Sequence, residues 1–573
     1  MNLTPQQKAI GKENFQAVIG SEETRRDFLK KGILAGVVSG AGLGSFYYGY
    51  GKSVAKPVRV AVFGTGDEGS VLLGACNPEF IQVQAIADIR PYSVYRAFHG
   101  DCYSEAALKV RPGLVEKYGW KNEADARKHV KVYADYHELL KAEKDIEAVI
   151  IALPLHLHAP AAIAALKAGK HVITEKLMAH TVHECKEMAR VAKSANLLLA
   201  VGHQRHYNIL YDNAVDTIRR GLLGELHFIR AQWNRANLPG HDSWSQPLPP
   251  GVKEGTKDGA ELLKELASWE EDLKTAKGRD IGALVRRIEQ KKAQISDRLI
   301  KDTAKDYGYQ EHPMTDSAGT LLYDCPPLEE LIRWRLWDRT SAGLMAELGS
   351  HQLDAASIFI AAAHGGKMEH PHPLNVSASA TRPLFPPDRD VEDHVCCMLE
   401  FPAPGYDPKD KFLSRKKICV SYAAINGNDF GGYGEIVFGT KGTLILEREQ
   451  EALIFKGGDT ESKVGVAKGK GGPTLDTQAS GASQAAAVGA MAIQDVSRGY
   501  TEELEHFAWC VRNRDPKNLP RCHAEVAMGD AIIALTANIA AREQRRIEFK
   551  EDWFSVESDE TPEGVAPNVS KYV

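Results

Sequence analysis

Three glycines at fixed spacing follow an apolar segment in the first part of the chain. The segment VRVAVFGTGDEGSVLL, from Val58, contains Gly64, Gly66 and Gly69 in the pattern G-x-G-x-x-G. The first glycine permits a tight turn, the second lets a pyrophosphate approach the backbone, and the third lets the next helix pack closely on the strand. A second apolar segment, IQVQAIAD, ends at Asp88, where a carboxylate accepts hydrogen bonds from the hydroxyls of an adenine ribose. The pattern predicts a dinucleotide-binding site.

The residues around Asp88 bear on which dinucleotide is bound. The Asp88 carboxylate would repel a 2′-phosphate, so NAD is favoured over NADP. Arg90 lies two positions later and can stack on adenine or pair with such a phosphate, which leaves NADP as the alternative. We therefore expect NAD as the cofactor.

Two later apolar segments also end in polar side chains. The segment IEAVIIALPLHLHAP contains His156 and His158, and KHVITEKL contains Glu175 and Lys176. Strands that alternate with helices form a doubly wound parallel sheet, and ligands bind at the carboxyl ends of its strands. We expect these residues to face the nicotinamide, with Lys176 in a catalytic position or, alternatively, in a structural ion pair. The predicted cofactor contacts are Gly64, Thr65, Gly66, Asp67, Glu68, Gly69, Asp88, Arg90, Leu153, Pro154, His156, His158, Glu175 and Lys176.

His156 and His158 are separated by one residue, so on a strand they would share a face and could bind a metal. No third ligand is evident beside them, and pocket-lining or loop-capping roles are favoured. The nine cysteines are scattered and include no C-x-x-C pair, which signals neither a zinc site nor a disulfide framework. No metal is predicted.

These segments resemble the Gfo/Idh/MocA oxidoreductases, the family of glucose-fructose oxidoreductase and inositol dehydrogenase. The resemblance rests on VFGTGDEG, ALPLHLHAPAAIAALKAGKHVITEK and MAELGSHQLD, and it covers most of the chain after residue 57. It implies an α/β fold with an N-terminal Rossmann domain, then a C-terminal α/β domain with an open-faced mixed sheet. Sheets of this kind commonly mediate dimers or tetramers in the family, which implies a homo-oligomer.

The resemblance also implies a reaction and the residues that perform it. Family members usually have Glu-Lys-Pro where this chain has Glu175-Lys176-Leu177, and often Asp-x-x-x-His where it has Glu347 and His351. The implied reaction is hydride transfer between nicotinamide C4 and a carbinol or ketone carbon of a sugar-like substrate. Lys176 would hydrogen-bond the reacting oxygen, and His351 would exchange the hydroxyl proton. Glu347 would orient the imidazole or bind a neighbouring hydroxyl.

Two further segments are candidates for substrate contacts. The segment VGHQRHYN, at a strand-to-helix turn, offers His203, Gln204, Arg205, His206 and Tyr207, of which His203, Arg205 and Tyr207 are the predicted contacts. Trp334 and Trp337 could form a wall on which a sugar ring stacks, or they could belong to the core.

Two other functions stay open at this stage. Some exported proteins that this chain resembles are NAD-dependent glycosidases, including an α-N-acetylgalactosaminidase. They oxidise a sugar carbon transiently, eliminate the aglycone, add water and return the hydride. The chain could also be a non-catalytic exported carbohydrate-binding protein that kept the fold, although the presence of both Lys176 and His351 argues against this. The main expectation is an NAD(P)-dependent oxidoreductase that acts on a sugar, polyol or glycoside.

The N-terminal sequence EETRRDFLKKGILAGVVSG contains Arg25 and Arg26 ahead of a mild apolar run. This pattern is typical of a twin-arginine export signal, which implies the twin-arginine machinery as a partner and a periplasmic location. The small residues Ser53-Val54-Ala55 predict cleavage near Lys56, with an uncleaved tether as the alternative. The apolar run is too weakly hydrophobic for a stable membrane anchor. Because this route carries folded proteins, we expect the cofactor to be bound before export.

Composition and texture set the remaining expectations. The 573 residues include 71 Lys plus Arg and 76 Asp plus Glu, so no basic field points to nucleic acid. Residues 253–306 carry apolar residues at helical spacing on both sides of Gly278, which predicts two amphipathic helices acting as decoration, lid or oligomer contact. The expected divisions are a signal region at 1–55, a Rossmann domain at 57–177, a C-terminal domain at 178–555 with this insertion and a flexible segment at about 457–490, and a tail at 556–573.

Overall fold

The computed structural model describes residues 3–19, 48–51, 53–278, 280–456, 465–469, 472–476 and 498–572. The arginine pair Arg25–Arg26 of the expected export signal lies outside the described residues. The predicted flexible segment at about 457–490 is also mostly outside them, apart from two short paired strands, Gly465–Gly469 and Gly472–Asp476.

The first domain is built on a six-stranded sheet in the order β3-β2-β1-β4-β5-β6, with every neighbouring pair parallel. Its strands are β1 (Val58–Phe63), β2 (Ile81–Ala87), β3 (Lys131–Tyr133), β4 (Ala148–Ile151), β5 (His171–Glu175) and β6 (Leu199–Gly202). The helices between them are Asp67–Ala75, Pro91–His99, Glu105–Val110, Gly113–Tyr118, Glu123–Ala126, Tyr136–Ala142, His158–Lys167 and Val182–Ala195. The central strands β1 and β4 are apolar and buried, as parallel strands covered on both faces must be. The predicted doubly wound Rossmann sheet is confirmed.

The sheet extends past the predicted domain limit at residue 177. After β5 the chain forms the helix Val182–Ala195 and returns as β6, parallel to β5. Parallel neighbouring strands require a crossover connection, so this helix is the crossover and both it and β6 belong to the first domain. The peptide bond between Lys176 and Leu177, where the crossover begins, is cis.

The second domain contains an eight-stranded mixed sheet in the order β15-β14-β13-β7-β12-β11-β10-β18. Its strands are β7 (Leu226–Asn234), β10 (Asn375–Thr381), β11 (His394–Pro402), β12 (Lys417–Ile425), β13 (Tyr433–Gly439), β14 (Gly442–Glu447), β15 (Glu451–Lys456) and β18 (Ile547–Glu548). Burial alternates along β11 and β12, so one face is more deeply buried than the other. The longer helices of this domain are Ile209–Arg219, Ser350–Ala363 and Ala524–Glu543, whereas the helix Tyr500–Arg512 packs on the first sheet. The predicted mixed-sheet domain is confirmed.

The insertion folds as two helices, Asp258–Thr275 and Asp280–Ser296, followed by the hairpin of β8 (His312–Thr315) and β9 (Leu321–Cys325). Its second helix packs against the helix Pro91–His99 of the first domain. An apolar cluster behind the insertion, which includes Leu248, Val252, Ala304, Tyr309, Leu328 and Ile332, also contacts Ile89 and Leu157 of the first domain. The insertion is therefore attached to the dinucleotide-binding sheet.

Two terminal segments and one apolar helix complete the fold. The helix Pro5–Ile19 packs on β15, where Lys12 Nζ lies 2.6 Å from Glu451 Oε1. The C-terminal tail is held by the helix Val182–Ala195, whose buried Lys186 donates to the Ser558 carbonyl oxygen at 2.9 Å. The helix Ala524–Glu543 is long and apolar enough to cross a membrane, but 78% of its apolar window is buried inside the protein. It serves here as a core helix.

Candidate functional site

Lys176 connects the first domain to the second. It follows directly after β5, and its Nζ donates a hydrogen bond of 2.8 Å to the backbone oxygen of Glu347. The same Nζ lies 4.0 Å from Glu347 Oε1. The structure therefore brings together two of the three predicted catalytic residues, although they are 171 positions apart in sequence.

Glu347 lies on a π-helical turn, Met345–Gly349, which leads into the helix Ser350–Ala363. Single π turns are frequent at functional sites. The Oε2 atom of Glu347 accepts a hydrogen bond of 2.8 Å from Arg335 Nε. Burial alone would raise the pKa of Glu347, but the charges of Lys176 and Arg335 lower it below the ordinary value. Glu347 is therefore ionised at neutral pH.

His351 lies about one turn after Glu347 and is nine-tenths buried, with no hydrogen-bond partner for Nδ1. Its ring lies 5.6 Å from that of Trp233 and 6.2 Å from that of His203, measured between centroids. Burial, followed by the positive charges of Lys176 and Arg205, lowers the pKa of His351 well below its ordinary value. A neutral imidazole with a free ring nitrogen can accept a proton from a hydroxyl group.

The glycine loop has the geometry of a pyrophosphate cradle. Gly64 has φ of +82°, and a Cβ on it would lie 2.4 Å from the Ala152 oxygen. A Cβ on Gly69 would lie 2.2 Å from the Gly64 oxygen, whereas one on Gly66 would meet no protein atom within 4 Å. Gly66 thus leaves space open in front of the helix Asp67–Ala75, whose N-terminus attracts an anion. The loop fits the pyrophosphate of a dinucleotide.

Asp88 lies beside this loop at the end of β2. Its Oδ2 accepts hydrogen bonds from the Thr65 backbone nitrogen at 2.7 Å and from Thr65 Oγ1 at 3.0 Å. Arg90 turns to the insertion instead, where its Nε donates to Asp297 Oδ2 at 2.8 Å. Asp67 also has a protein partner, because its Oδ1 accepts from the buried Arg96 at 2.6 Å. The sequence alone gave no indication of Asp297 or Arg96.

The two histidines after β4 have different environments. His158 is buried, and its two ring nitrogens lie 2.8 Å from the Leu177 and Leu153 oxygens, so it ties the ends of β4 and β5 together. His156 has no hydrogen-bond partner among the described residues, and its ring contacts that of Tyr309 edge-on at 5.6 Å. Burial lowers the pKa of His156 to about 3. Pro154 occupies the turn that precedes them.

Glu175 is buried beside the glycine loop. Its Oε2 accepts from the Lys176 backbone nitrogen at 3.2 Å, while Oε1 has no hydrogen-bond partner. Burial, with the charge of Glu68 as the next cause, raises the pKa of Glu175 to about 8. The carboxyl group is therefore largely protonated at neutral pH, and an ion pair between Glu175 and Lys176 is not formed.

Most of the predicted substrate contacts have partners inside the protein. Buried Arg205 donates to Glu449 Oε1 at 3.1 and 2.9 Å from Nε and Nη2. The Tyr207 hydroxyl lies 2.8 Å from His506 Nδ1 and accepts from the Arg521 backbone nitrogen. These positions favour structural roles, so substrate contact stays a prediction.

The two tryptophans take different positions. Trp337 is fully buried, with its ring stacked on that of His312 at 5.0 Å, so it belongs to the core. Trp334 is partly buried, and the Arg335 guanidinium carbon lies 4.3 Å from the centroid of its ring. Because Arg335 also donates to Glu347, Trp334 lies close to the candidate site. His203 is fully buried behind His351.

Two arginines complete the candidate site and were missed by sequence reasoning. Arg335 holds Glu347, as described above. The Arg235 guanidinium lies 5.6 Å from the Trp233 ring centroid, its Nε has no hydrogen-bond partner, and burial lowers its pKa. Arg335 lies on a short 3-10 turn and Arg235 follows the end of β7, so neither belongs to a segment of regular spacing from which its role could be predicted.

Residues 58–203 match the family model GFO_IDH_MocA, described as "Oxidoreductase family, NAD-binding Rossmann fold". An uncharacterized oxidoreductase of Schizosaccharomyces pombe is 35% identical over 153 residues, which are 25% of this chain and 41% of that protein. A glycosyl hydrolase family 109 protein of Solibacter usitatus is 29% identical over 223 residues, 37% of this chain and 46% of that protein. The chain spans about half the length of the curated relatives it matches.

The fold is also similar to those of solved structures. Aldose-aldose oxidoreductase from Caulobacter crescentus, complexed with glycerol, aligns over 86% of this chain and 100% of its own, with 16% identity and a TM-score of 0.47. Levoglucosan dehydrogenase in complex with NADH and L-sorbose aligns over 86% and 99%, with 15% identity and a TM-score of 0.47. The sequence match and the observed sheet and glycine loop together identify residues 58–203 as an NAD-binding Rossmann domain similar to that of the Gfo/Idh/MocA oxidoreductases.

Proposed function

We propose that the protein is an NAD-dependent oxidoreductase that transfers a hydride to or from a carbinol carbon of a sugar, polyol or glycoside. One observation carries the proposal: Lys176, at the carboxyl end of β5, meets Glu347 of the second domain one turn before His351. Bound NAD would supply the hydride acceptor at its nicotinamide ring. The glycine loop and Asp88 would hold its pyrophosphate and adenine ribose.

The residues of the chain would handle the proton and the charge. Neutral His351 would take the proton of the substrate hydroxyl at its free ring nitrogen. The Lys176 ammonium would stabilise the negative charge that develops on the same oxygen. Ionised Glu347, held by Arg335, would fix the ammonium and accept a hydrogen bond from a neighbouring substrate hydroxyl.

We further propose that NAD is held tightly and that the protein is exported by the twin-arginine route to the periplasm. Arg25 and Arg26 support export, and the insertion, whose Asp297 accepts a hydrogen bond from Arg90, supports slow release of the cofactor. A compartment without a nicotinamide pool requires the bound cofactor to be regenerated in place. A homo-oligomer assembled through the second sheet is part of the same proposal.

A second candidate is a redox glycosidase, which returns the hydride within each turnover. Relatives described as glycosyl hydrolase family 109 proteins favour it, including one of Stenotrophomonas maltophilia that is 30% identical over 211 residues. A third candidate, a carbohydrate-binding protein without catalysis, has less support because Lys176, Glu347 and His351 are all retained and clustered.

A single assay separates the three candidates. The purified protein is incubated with a panel of free sugars, polyols and nitrophenyl glycosides, including the α-N-acetylgalactosaminide, without added NAD. Absorbance at the nicotinamide and nitrophenol wavelengths is followed together. A nicotinamide signal that follows sugar addition supports the oxidoreductase, and aglycone release without net NADH supports the glycosidase. Sugar binding by calorimetry with neither signal would leave only the non-catalytic candidate.

A further inference from the structure

Asp297 of the insertion contacts the segment that follows Asp88, the residue expected to bind the adenine ribose. It follows the helix Asp280–Ser296, and its side chain is only 1% exposed. Its Oδ2 accepts from Arg90 Nε at 2.8 Å, and its Oδ1 accepts from the Tyr92 backbone nitrogen at 3.0 Å. Both carboxylate oxygens are thus hydrogen-bonded to residues of the segment that follows β2, Arg90 and Tyr92.

The contact changes what Arg90 can bind. An arginine just after the carboxylate of β2 is placed to pair with a 2′-phosphate. Here the Arg90 guanidinium is paired with Asp297 over a separation of 207 residues, and Asp88 adds a second negative charge nearby. A 2′-phosphate would therefore meet two carboxylates and a cation that is already neutralised.

The insertion is fixed in this position by further contacts. Gln290 accepts from the Cys102 backbone nitrogen at 2.6 Å and donates to Asp101 Oδ1 at 2.9 Å. Buried Tyr309 and its neighbours pack on Ile89 of the first domain. Because these contacts anchor the insertion on both sides of Asp297, the carboxylate is held beside Arg90.

We propose that Asp297 is a specificity-determining residue that makes the protein select NAD over NADP. It acts by neutralising Arg90 and by placing a second negative charge at the 2′ position of the adenosine. The inference rests on dinucleotide binding and not on the reaction proposed above.

The test measures bound dinucleotide. The purified full chain is incubated with NAD and NADP at equal concentrations, both in excess over the protein, so that bound dinucleotide exchanges. It is then desalted and denatured, and both released dinucleotides are quantified by mass spectrometry. Asp297→Asn should lower the NAD:NADP ratio about tenfold, equal to about 1.4 kcal/mol, because Arg90 becomes available. Asp302→Asn, an exposed carboxylate of the same segment, should leave the ratio unchanged.

A double variant controls for the possibility that Asp297→Asn misfolds. Arg90→Met with Asp297→Leu removes both charges together, which a buried ion pair tolerates better than loss of one partner. It should also lower the ratio, because Asp88 is then the one remaining carboxylate of the two that would repel a 2′-phosphate. An unchanged ratio in both variants would overturn the proposal. Absence of sugar turnover would count against the proposed reaction alone, since the readout here is bound dinucleotide.

A separate cluster of metal-ligand side chains lies behind His351. Its members are His203, His206, Asp354, Cys522 and Asp530. Ligand atoms of His203, Asp354 and Asp530 lie within 4.8 Å of one another, and so do those of His206, Cys522 and Asp530. His206 Nε2 is 2.8 Å from Asp354 Oδ1, and His203 Nδ1 is 3.5 Å from Asp354 Oδ2. Such spacings fit neighbouring ligands of one metal ion.

Unpartnered atoms point into this cluster. Both ring nitrogens of fully buried His203 lack a hydrogen-bond partner, as do Asp354 Oδ2 and Asp530 Oδ2. The two aspartates are each 1% exposed, and each has a histidine nitrogen 2.8 Å from its Oδ1, His206 at Asp354 and His370 at Asp530. Within the described part of the chain no lysine or arginine donates to either carboxylate. Two adjacent buried carboxylates require a positive charge or a shared proton.

We infer that this cluster binds one divalent cation of the zinc class, since imidazole nitrogen, carboxylate oxygen and thiolate are its ligands. The full chain is expressed with zinc, desalted and assayed by elemental mass spectrometry. A second sample is stripped with a chelator, desalted, titrated with Co²⁺ and followed by visible absorbance. About one equivalent per chain and a cobalt band are expected, and both should be lost in Asp530→Asn but kept in Asp302→Asn. No metal and no cobalt band, or binding that survives Asp530→Asn, would overturn the inference in favour of a shared proton.

Discussion

The Lys176 ammonium donates to the backbone oxygen of Glu347 at 2.8 Å and so joins the end of β5 to the π turn of the second domain. The contact fixes the ammonium group at the end of β5 near His351, whose pKa it helps to lower. Its position depends on both domains at once. Changes on either side of the contact should therefore affect catalysis more than folding.

Replacing Lys176 by alanine should abolish turnover while the cofactor stays bound. The loss removes the group proposed to stabilise charge on the reacting oxygen, and we expect a decrease in kcat of about 10³-fold. The measurement is kcat with the best substrate of the assay above, together with mass spectrometry of released NAD. Lys264→Ala, an exposed lysine of the insertion, is the matched control. Activity that survives Lys176→Ala would refute the assigned chemistry.

Arg335→Ala should reduce kcat/KM by about 10- to 100-fold. Glu347 would lose one of the cations that lower its pKa, Lys176 being another, and it would lose the hydrogen bond of 2.8 Å that fixes its orientation. The pH profile is the decisive measurement, because the acidic limb should move to higher pH as the Glu347 pKa rises. Arg335→Lys should restore part of the activity and of the profile. An unshifted profile in Arg335→Ala would show that Glu347 does not control the rate.

Substitutions of Gly66 and Gly69 in the glycine loop should have different effects, one on NAD affinity and the other on stability. Gly66→Ala introduces a Cβ that meets no protein atom, so thermal stability should hold while NAD affinity falls by about tenfold or more. Gly69→Ala places its Cβ 2.2 Å from the Gly64 oxygen, so it should lower the free energy of unfolding. Thermal melts and NAD calorimetry distinguish the two. Equal losses of stability in both variants would contradict the assignment of Gly66 to the pyrophosphate.

Glu175→Gln should stabilise the protein, and more so at pH 8 than at pH 5. Burial raises the pKa of Glu175 to about 8 in the folded state, above its ordinary value. The stability from its neutral form is fully present below the unfolded pKa and is lost as pH rises through about 8. Glutamine cannot ionise, so it removes this loss. Denaturant unfolding at the two pH values checks the prediction, and a gain that is larger at pH 5 would contradict it.

Much of the fold was predictable because its signals are local. The apolar runs of β1 and β4 and the spacing of Gly64, Gly66 and Gly69 each lie within a short segment, and such patterns specify strand, turn and helix directly. The positions of Lys176 and Glu347 on these elements followed from the resemblance. Periodicity also located the two insertion helices, but nothing in it indicated which surface they would cover.

The sequence by itself determined a dinucleotide-binding sheet, a second mixed-sheet domain and the residue types available for chemistry. Only the tertiary structure decided which side chains meet: Arg90 with Asp297, Arg335 with Glu347, and Arg205 with Glu449. The physical reason is that local periodicity fixes backbone conformation over a few residues. Ion pairs between distant segments depend instead on how whole elements pack and on the burial that packing imposes.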